Sequence, residues 1–208
     1  MLDEIGLPPG VVNMVHGGAE IANGLMEHPD IKGVTFVGST PVGRHVYKKC
    51  GETGKRVIAQ AGAKNFIVIM PDAEIDKAMV SLMSSFFGNT GQRCLSGANL
   101  LVVGDDKRYR EVSVQMGPVQ NVESKQRIIG MIEKGIEEGA KLTLDGRKLN
   151  LVGDVPEDCF LNPSVFENVT LDMTIAREEI FGPVASILRA GDLDEAIDMI
   201  HQIPYGNS

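Results

Sequence analysis

Gly33-Val34-Thr35-Phe36-Val37-Gly38-Ser39-Thr40-Pro41-Val42-Gly43 is the stretch on which the fold is decided. Its first five residues are rich in β-branched and aromatic side chains and read as a strand. They run through a small-residue turn into a helix start. Ser39 and Thr40 are N-cap residue types, and Pro41 stands in the first turn, where its missing N–H is no loss. A helix over Thr40–Cys50 follows, and Arg56–Ala61 reads as the next strand. Strand, helix and strand in quick succession predict a parallel pair joined by a crossover helix, the repeating unit of an α/β sheet covered by helices on both faces.

The same alternation extends outward in both directions. Val11–Val15 reads as a strand after the Pro8-Pro9-Gly10 turn, and Ala19–Glu27 as a helix. On the far side, Phe66–Met70 reads as a strand. A helix from Asp72 then carries Ile75, Ala78, Met79, Leu82, Met83 and Phe86 at three-four spacing, a stripe suited to a core. After Cys94 the pattern restarts. Leu100–Val103, Lys141–Leu144, Phe160–Phe166 and Val184–Arg189 read as strands. Lys125–Gly139 reads as an amphipathic helix with Ile128, Ile129, Ile132 and Ile136 inward, and Leu193–Ile200 as a helix behind the capping residue Asp192. The expected class is α/β with parallel sheets covered by helices. The domain boundary is expected near Gly88, giving domains over residues 1–88 and 89–208.

Composition narrows the function classes. The 208 residues are 43% hydrophobic and 23% charged, ordinary for a globular chain large enough to bury a core. A net charge of −8 without a long Lys/Arg cluster gives nucleic-acid binding no electrostatic support. Apolar runs of strand length do not reach across a bilayer, so no membrane partner is expected. Cys50, Cys94 and Cys159 are odd in number and widely spaced, which argues against a disulfide framework and against a zinc site, and fits a reducing compartment. The opening Met1-Leu2-Asp3-Glu4 lacks the basic and apolar regions of a signal peptide. The expected location is the cytoplasm, or the mitochondrial matrix in a eukaryote.

Three segments carry candidate chemistry. Gly38-Ser39-Thr40 lies where a strand meets a helix N-terminus, whose open N–H groups and dipole suit a pyrophosphate. An ordinary capped helix start has the same residues, and the chain holds no Gly-x-Gly-x-x-Gly. Gly91-Gln92-Arg93-Cys94 sets a thiol on a small-residue turn beside a fixed positive charge, which favours the reactive thiolate. A buried, inert cysteine in a helix–strand connection is the competing reading. Glu178-Glu179-Ile180-Phe181-Gly182-Pro183-Val184 joins an acidic pair, an aromatic ring and a turn ahead of a strand. A carboxylate there can accept both hydroxyls of a ribose and the ring can pack on a ring, although a solvated turn with a core phenylalanine reads alike. Cys50 and Cys159 lack such surroundings and read as core filler.

Taken in order, Pro8-Pro9-Gly10-Val11-Val12-Asn13, Phe36–Thr40, Gly91–Cys94 and Glu178–Val184 resemble the aldehyde dehydrogenase superfamily, from the later part of its cofactor domain through much of its catalytic domain. The resemblance implies that Cys94 attacks an aldehyde, that hydride passes to NAD or NADP, and that a thioester remains on the sulfur. It implies a cofactor-binding set of Phe36, Gly38, Ser39, Val42, Ala61, Gly62, Glu179 and Phe181. In that set Ser39 lies near the pyrophosphate, Glu179 on the nicotinamide ribose and Phe181 against the nicotinamide region. The Cys94 N–H would help to hold the oxyanion.

One departure sharpens this expectation. Hydrolytic members of the family carry a water-activating glutamate where this chain reads Gln60-Ala61-Gly62-Ala63-Lys64-Asn65. An amide does not take a proton from water near neutral pH. Together with Asn89-Thr90-Gly91-Gln92-Arg93-Cys94, the segment is similar to the methylmalonate-semialdehyde dehydrogenase branch. That branch passes its acyl group to the thiol of coenzyme A, with loss of carbon dioxide from methylmalonate or malonate semialdehyde, giving propionyl-CoA or acetyl-CoA. The resemblance thus implies NAD as cofactor, coenzyme A as co-substrate, a small aldehyde as partner and a homo-oligomer for the full-length protein. Family members are much longer, so a partial chain is expected, without the opening strands of the cofactor domain and short by a helix between Val103 and Gly117. A hydrolytic enzyme that uses another base and an inactive remnant stand as alternatives.

Overall fold

The computed structural model describes residues 4–104, 116–149 and 157–206. The shortened Val103–Gly117 connection falls largely outside them, at residues 105–115. The chain divides into two compact units, Met1–Gly62 and Ala63–Ser208.

The first unit contains α1 (Ala19–Glu27), β1 (Gly33–Val37), α2 (Thr40–Glu52) and β2 (Arg56–Gln60). β1 and β2 are parallel, in register from Gly33 opposite Arg56 to Val37 opposite Gln60. Exposure alternates along both strands. Val34, Phe36 and Val57 pack against a small core of Met26, Val46 and Cys50, in which Cys50 is fully buried. Filler is the role that cysteine was expected to play. The strand expected over Val11–Val15 does not form, and Val11, Val12, Met14 and Val15 are exposed. β-branched residues make a strand only where a neighbour can take up their N–H and C=O groups.

The second unit is a five-stranded sheet in the order β3-β4-β7-β6-β5, from β3 (Asn65–Ile69), β4 (Gly97–Val103), β5 (Lys141–Leu144), β6 (Ser164–Glu167) and β7 (Val184–Ala190). All neighbouring pairs are parallel except β5 with β6, which is antiparallel. Its helices are α3 (Ile75–Phe87), α4 (Val122–Glu137), the short α5 (Thr174–Arg177) and α6 (Leu193–His201). The strand period divides the core. Leu100, Val102, Ala185 and Ile187 meet Leu82, Phe86 and Phe87 of α3 on one face. Leu101, Val103, Leu188 and Ala190 meet Ile128 and Ile132 of α4 and Ala196 of α6 on the other. β4 is buried on both faces, as its unbroken apolar run requires.

Two expectations are corrected here. The boundary falls after Gly62 rather than near Gly88, because β3 pairs with β4 and α3 packs on this second sheet. In α4, Ile128 and Ile132 are buried and Ile129 packs at the core's margin, but Ile136 is 42% exposed. Gly135 takes the inward position, where a Cβ would meet Ile175 Cδ1 at 2.8 Å. Among the described residues no helix is long and apolar enough to cross a membrane.

Candidate active site

In the first unit, the C-terminal ends of β1 and β2 and the N-terminus of α2 converge, the place where open parallel sheets hold ligands. Phe36, Gly38, Ser39, Val42, Ala61 and Gly62 all stand there. The Phe36 ring lies over Gly38, whose Cβ would meet ring carbon Cε1 at 3.2 Å. Gly43 brings α2 down onto Ala61, whose Cβ would be 3.0 Å from an added methyl. The Gly38 N–H donates to the Gln60 carbonyl at 3.1 Å, and the Gly62 N–H to Thr40 Oγ1 at 3.2 Å. Ser39 has N-cap backbone angles but its side chain caps no amide, so it does not occupy the first-turn N–H groups of this 13-residue helix. Val42 is exposed in the first turn, and Gln60 closes β2.

The second unit holds Cys94, Glu179 and Phe181 in one pocket, lined also by Asn65, Arg93 and Gly182. Its construction starts at the end of α3, where Asn89, Thr90 and Gly91 take φ of 53°, 57° and 67° in succession. A β-branched residue in the left-handed region is strained, and such strain persists only where its surroundings fix it. Thr90 is buried and its Oγ1 donates to the Gly117 carbonyl at 2.9 Å. Asn89 Nδ2 donates to the Gln92 carbonyl at 3.1 Å. At Gly91 a Cβ would overlap the Gly182 carbonyl, so two backbones touch there.

Beyond this turn the chain is pinned from below. Asn65 Nδ2 donates to the carbonyls of both Cys94 and Ser96, each at 2.8 Å, and Ser96 Oγ donates to the Ser85 carbonyl at 2.5 Å. Cys94 itself is exposed. Cys94 is thus not buried as the competing reading expects, and the backbone beneath it is fixed by these hydrogen bonds. Arg93 is exposed too. Its guanidinium lies over Gly88, where an added Cβ would meet Nη1 at 3.0 Å.

The opposite wall is the turn before β7. Glu179 is half-buried and its Oε1 accepts the Ala63 N–H at 3.2 Å. Arg127 of α4 donates through Nη1 to the Ile180 carbonyl at 2.5 Å. Phe181 stands at φ 51° and is 37% exposed, its ring at the pocket rather than in the core. A Cβ on Gly182 would meet Ile128 Cγ1 at 2.7 Å, so α4 presses directly beneath this turn. Lys64 is 3% exposed, and its Nζ has no hydrogen-bond partner among the described residues. Burial lowers its pKa from 10.5 to about 7, while the carboxylates of Glu179 and Glu178 act in the opposite direction.

Asn65, Thr90 and Arg127 are site-building residues that the sequence alone leaves unmarked. Lys64 carried a signal, a charged residue leading straight into the apolar run Phe66–Met70. Chemically, the arrangement lines one pocket with a thiol, an arginine, a carboxylate and an aromatic ring.

The family model described as "Aldehyde dehydrogenase family" matches residues 1–208. Malonate-semialdehyde dehydrogenase 1 of Geobacillus kaustophilus is 44% identical over 223 residues, covering 100% of this chain and 45% of that protein. The methylmalonate-semialdehyde dehydrogenase structure from Oceanimonas doudoroffii has 33% identity and a TM-score of 0.92, over 99% of this chain and 46% of that one. A Sinorhizobium meliloti structure, described as a methylmalonate-semialdehyde dehydrogenase complexed with NAD, has 38% identity and the same TM-score of 0.92, over 99% of this chain and 45% of that one. The chain thus spans a little under half the length of the relatives it matches. Across all 208 of its residues, this chain belongs to the aldehyde dehydrogenase family.

Proposed function

We propose that this chain carries the nucleophile and part of the cofactor site of an NAD-dependent, coenzyme A-acylating semialdehyde dehydrogenase that acts on malonate or methylmalonate semialdehyde. The observation that carries the reading is an exposed Cys94 in one pocket with Arg93, Glu179 and Phe181, in a chain that has Gln60 where a water-activating carboxylate is expected. The residues fit NAD. The first turn of α2 leaves N–H groups for a pyrophosphate beside Ser39. Phe36, Val42, Ala61 and Gly62 are assigned to the dinucleotide, and Glu179 and Phe181 to the nicotinamide ribose and ring. NAD supplies the hydride acceptor.

Cys94 Sγ, as thiolate, forms a bond to the aldehyde carbon, and the carbonyl electron pair moves to oxygen, where the Cys94 N–H can donate to it. That pair returns as hydride departs, and Cys94 becomes a thioester. Arg93 supplies a guanidinium for the second, ionised end of the substrate, which plain aldehydes lack. Gln60 does not deprotonate water, so the thioester waits for a nucleophile already partly ionised near neutral pH, the thiol of coenzyme A. Its sulfur bonds to the acyl carbon, the Cys94 thiolate leaves, and the thiol proton passes to solvent. The β-carboxylate departs as carbon dioxide. Its electron pair passes to the enolate of the thioester, which takes a proton from water.

The test is made on the protein expressed from its complete coding sequence, with malonate semialdehyde, NAD+ and coenzyme A. NADH and acetyl-CoA are expected in equal amounts, and without coenzyme A NADH is expected to stop near one equivalent per site. Sustained NADH formation without coenzyme A, with release of a free acid, would overturn the acyl-transfer reading. A second expectation concerns Arg93→Met, which should raise KM for malonate semialdehyde about tenfold or more, a clearly larger rise than for an uncharged aldehyde of similar size.

A further inference from the structure

Beneath the pocket, the head of β3 meets the turn before β7. The Ala63 N–H binds Glu179 Oε1 at 3.2 Å, and the next residue, Lys64, is a buried amine whose Nζ has no hydrogen-bond partner among the described residues. An amine placed there by chance is a defect, since an unpaired ammonium in the interior is costly. The charged side chains that act on Lys64 are Glu179 and Glu178, both in the turn. Glu178 is exposed and screened by water, whereas Glu179 is half-buried. On the other flank Arg127 grips the Ile180 carbonyl, and Glu179 acts on the Arg127 guanidinium as well.

We propose that Lys64 is a positioning residue, a buried amine whose protonated form holds the Glu179 carboxylate toward the pocket and, with the Ala63 N–H and Arg127, keeps the strained Phe181 turn in place. With little solvent at Lys64, its attraction to Glu179 is far stronger than that of a surface pair of the same separation. The carboxylate then stays fixed on its backbone hydrogen bond. Glu179's role as a ribose ligand rests on the cofactor reading above; its coupling to Lys64 does not.

The experiment separates the two. The Lys64 side-chain signal is followed by NMR in the 15N,13C-lysine-labelled chain, assigned by its loss in Lys64→Met, and titrated without nucleotide. Glu179→Gln is expected to lower the Lys64 midpoint by about one unit, because an opposite charge has been removed at close range. Glu178→Gln is expected to lower it by clearly less. A midpoint unmoved by Glu179→Gln, or moved more by Glu178→Gln, overturns the proposal. In the complete protein Lys64→Met is expected to raise KM for NAD several-fold with kcat changed less, and an unchanged KM also overturns it. If the midpoint shifts as expected but the unsubstituted protein does not bind NAD, the cofactor reading fails and the coupling stands.

Discussion

Gly91→Ala is expected to destabilise the second unit by roughly 2–5 kcal/mol, from about 1–2 kcal/mol for a left-handed alanine plus the overpacking of a closed backbone contact. Both causes are present at this position. Gly91 has φ 67°, and an added Cβ would overlap the Gly182 carbonyl while standing 3.1 Å from the Phe86 carbonyl. Neither obstacle is the far end of a flexible side chain, so relief requires moving the Glu179–Gly182 turn or the Cys94 loop. The turn has little freedom, since Ile128 lies directly beneath Gly182. Total stabilities of domains are about 5–15 kcal/mol, so the loss is a large share.

The measurement is the urea midpoint, with Gly130→Ala as the companion. Gly130 lies in α4 with open space around its Cα, and alanine there is expected to stabilise by roughly 0.5–1 kcal/mol through helix propensity. Opposite signs at two glycines of one unit identify backbone geometry, rather than glycine content, as the cause. Equal small effects would show that the Gly91–Gly182 contact is soft. The same substitution should change the alkylation rate of Cys94, because the loop that presents the thiol must shift.

What could be read from the sequence followed the range of the physics involved. Ala19–Glu27, Gly33–Val37 and Lys141–Leu144 were legible to the residue, because period and punctuation are local signals. Val11–Val15 had the composition of a strand but no partner strand among the described residues, and strand formation is a property of a pair. The choice of Ile136 over Gly135 followed apolarity, whereas helix phase and the nearness of Ile175 decide the matter in favour of the smaller residue. The boundary near Gly88 missed because sheet membership is set by β4, far along the chain from β3.

The site divides in the same way. Cys94 stood out through its small neighbours and its charge, all within a few residues. Its supports act across long intervals: Asn65 on Cys94 over 29 residues, Arg127 on Ile180 over 53, and Ala63 on Glu179 over 116. No local pattern marks such pairs. Lys64 was visible as a charge at the edge of an apolar run, but its meaning depends on which carboxylate folds against it.

Lys64→Met is expected to stabilise the chain at and below neutral pH and to lose that advantage as the solution becomes alkaline. Lys64 has a pKa of about 7 in the folded protein against 10.5 for an exposed lysine. Below pH 7 the amine is charged in both states, so the whole cost of burying the ammonium falls on the fold. Between pH 7 and 10.5 the unfolded chain holds a proton that the folded chain has released, and stability rises with pH across this window. Above 10.5 both states are neutral and the cost is gone. A shift of this size corresponds to a stability difference on the order of a few kcal/mol, at about 1.4 kcal/mol per unit.

Methionine keeps the apolar stem's volume and binds no proton. The gap in urea-derived stability between Lys64→Met and the unsubstituted chain should therefore be widest at pH 6 and nearly closed by pH 10. Comparing the two at each pH cancels the titration of every other group they share. Parallel curves would show that Lys64 reaches water when folded. A substitution expected to steady the fold at neutral pH is thus also the one expected to slacken the hold on Glu179. A buried amine kept at that cost in stability is what a positioning role demands and what a packing role would not tolerate.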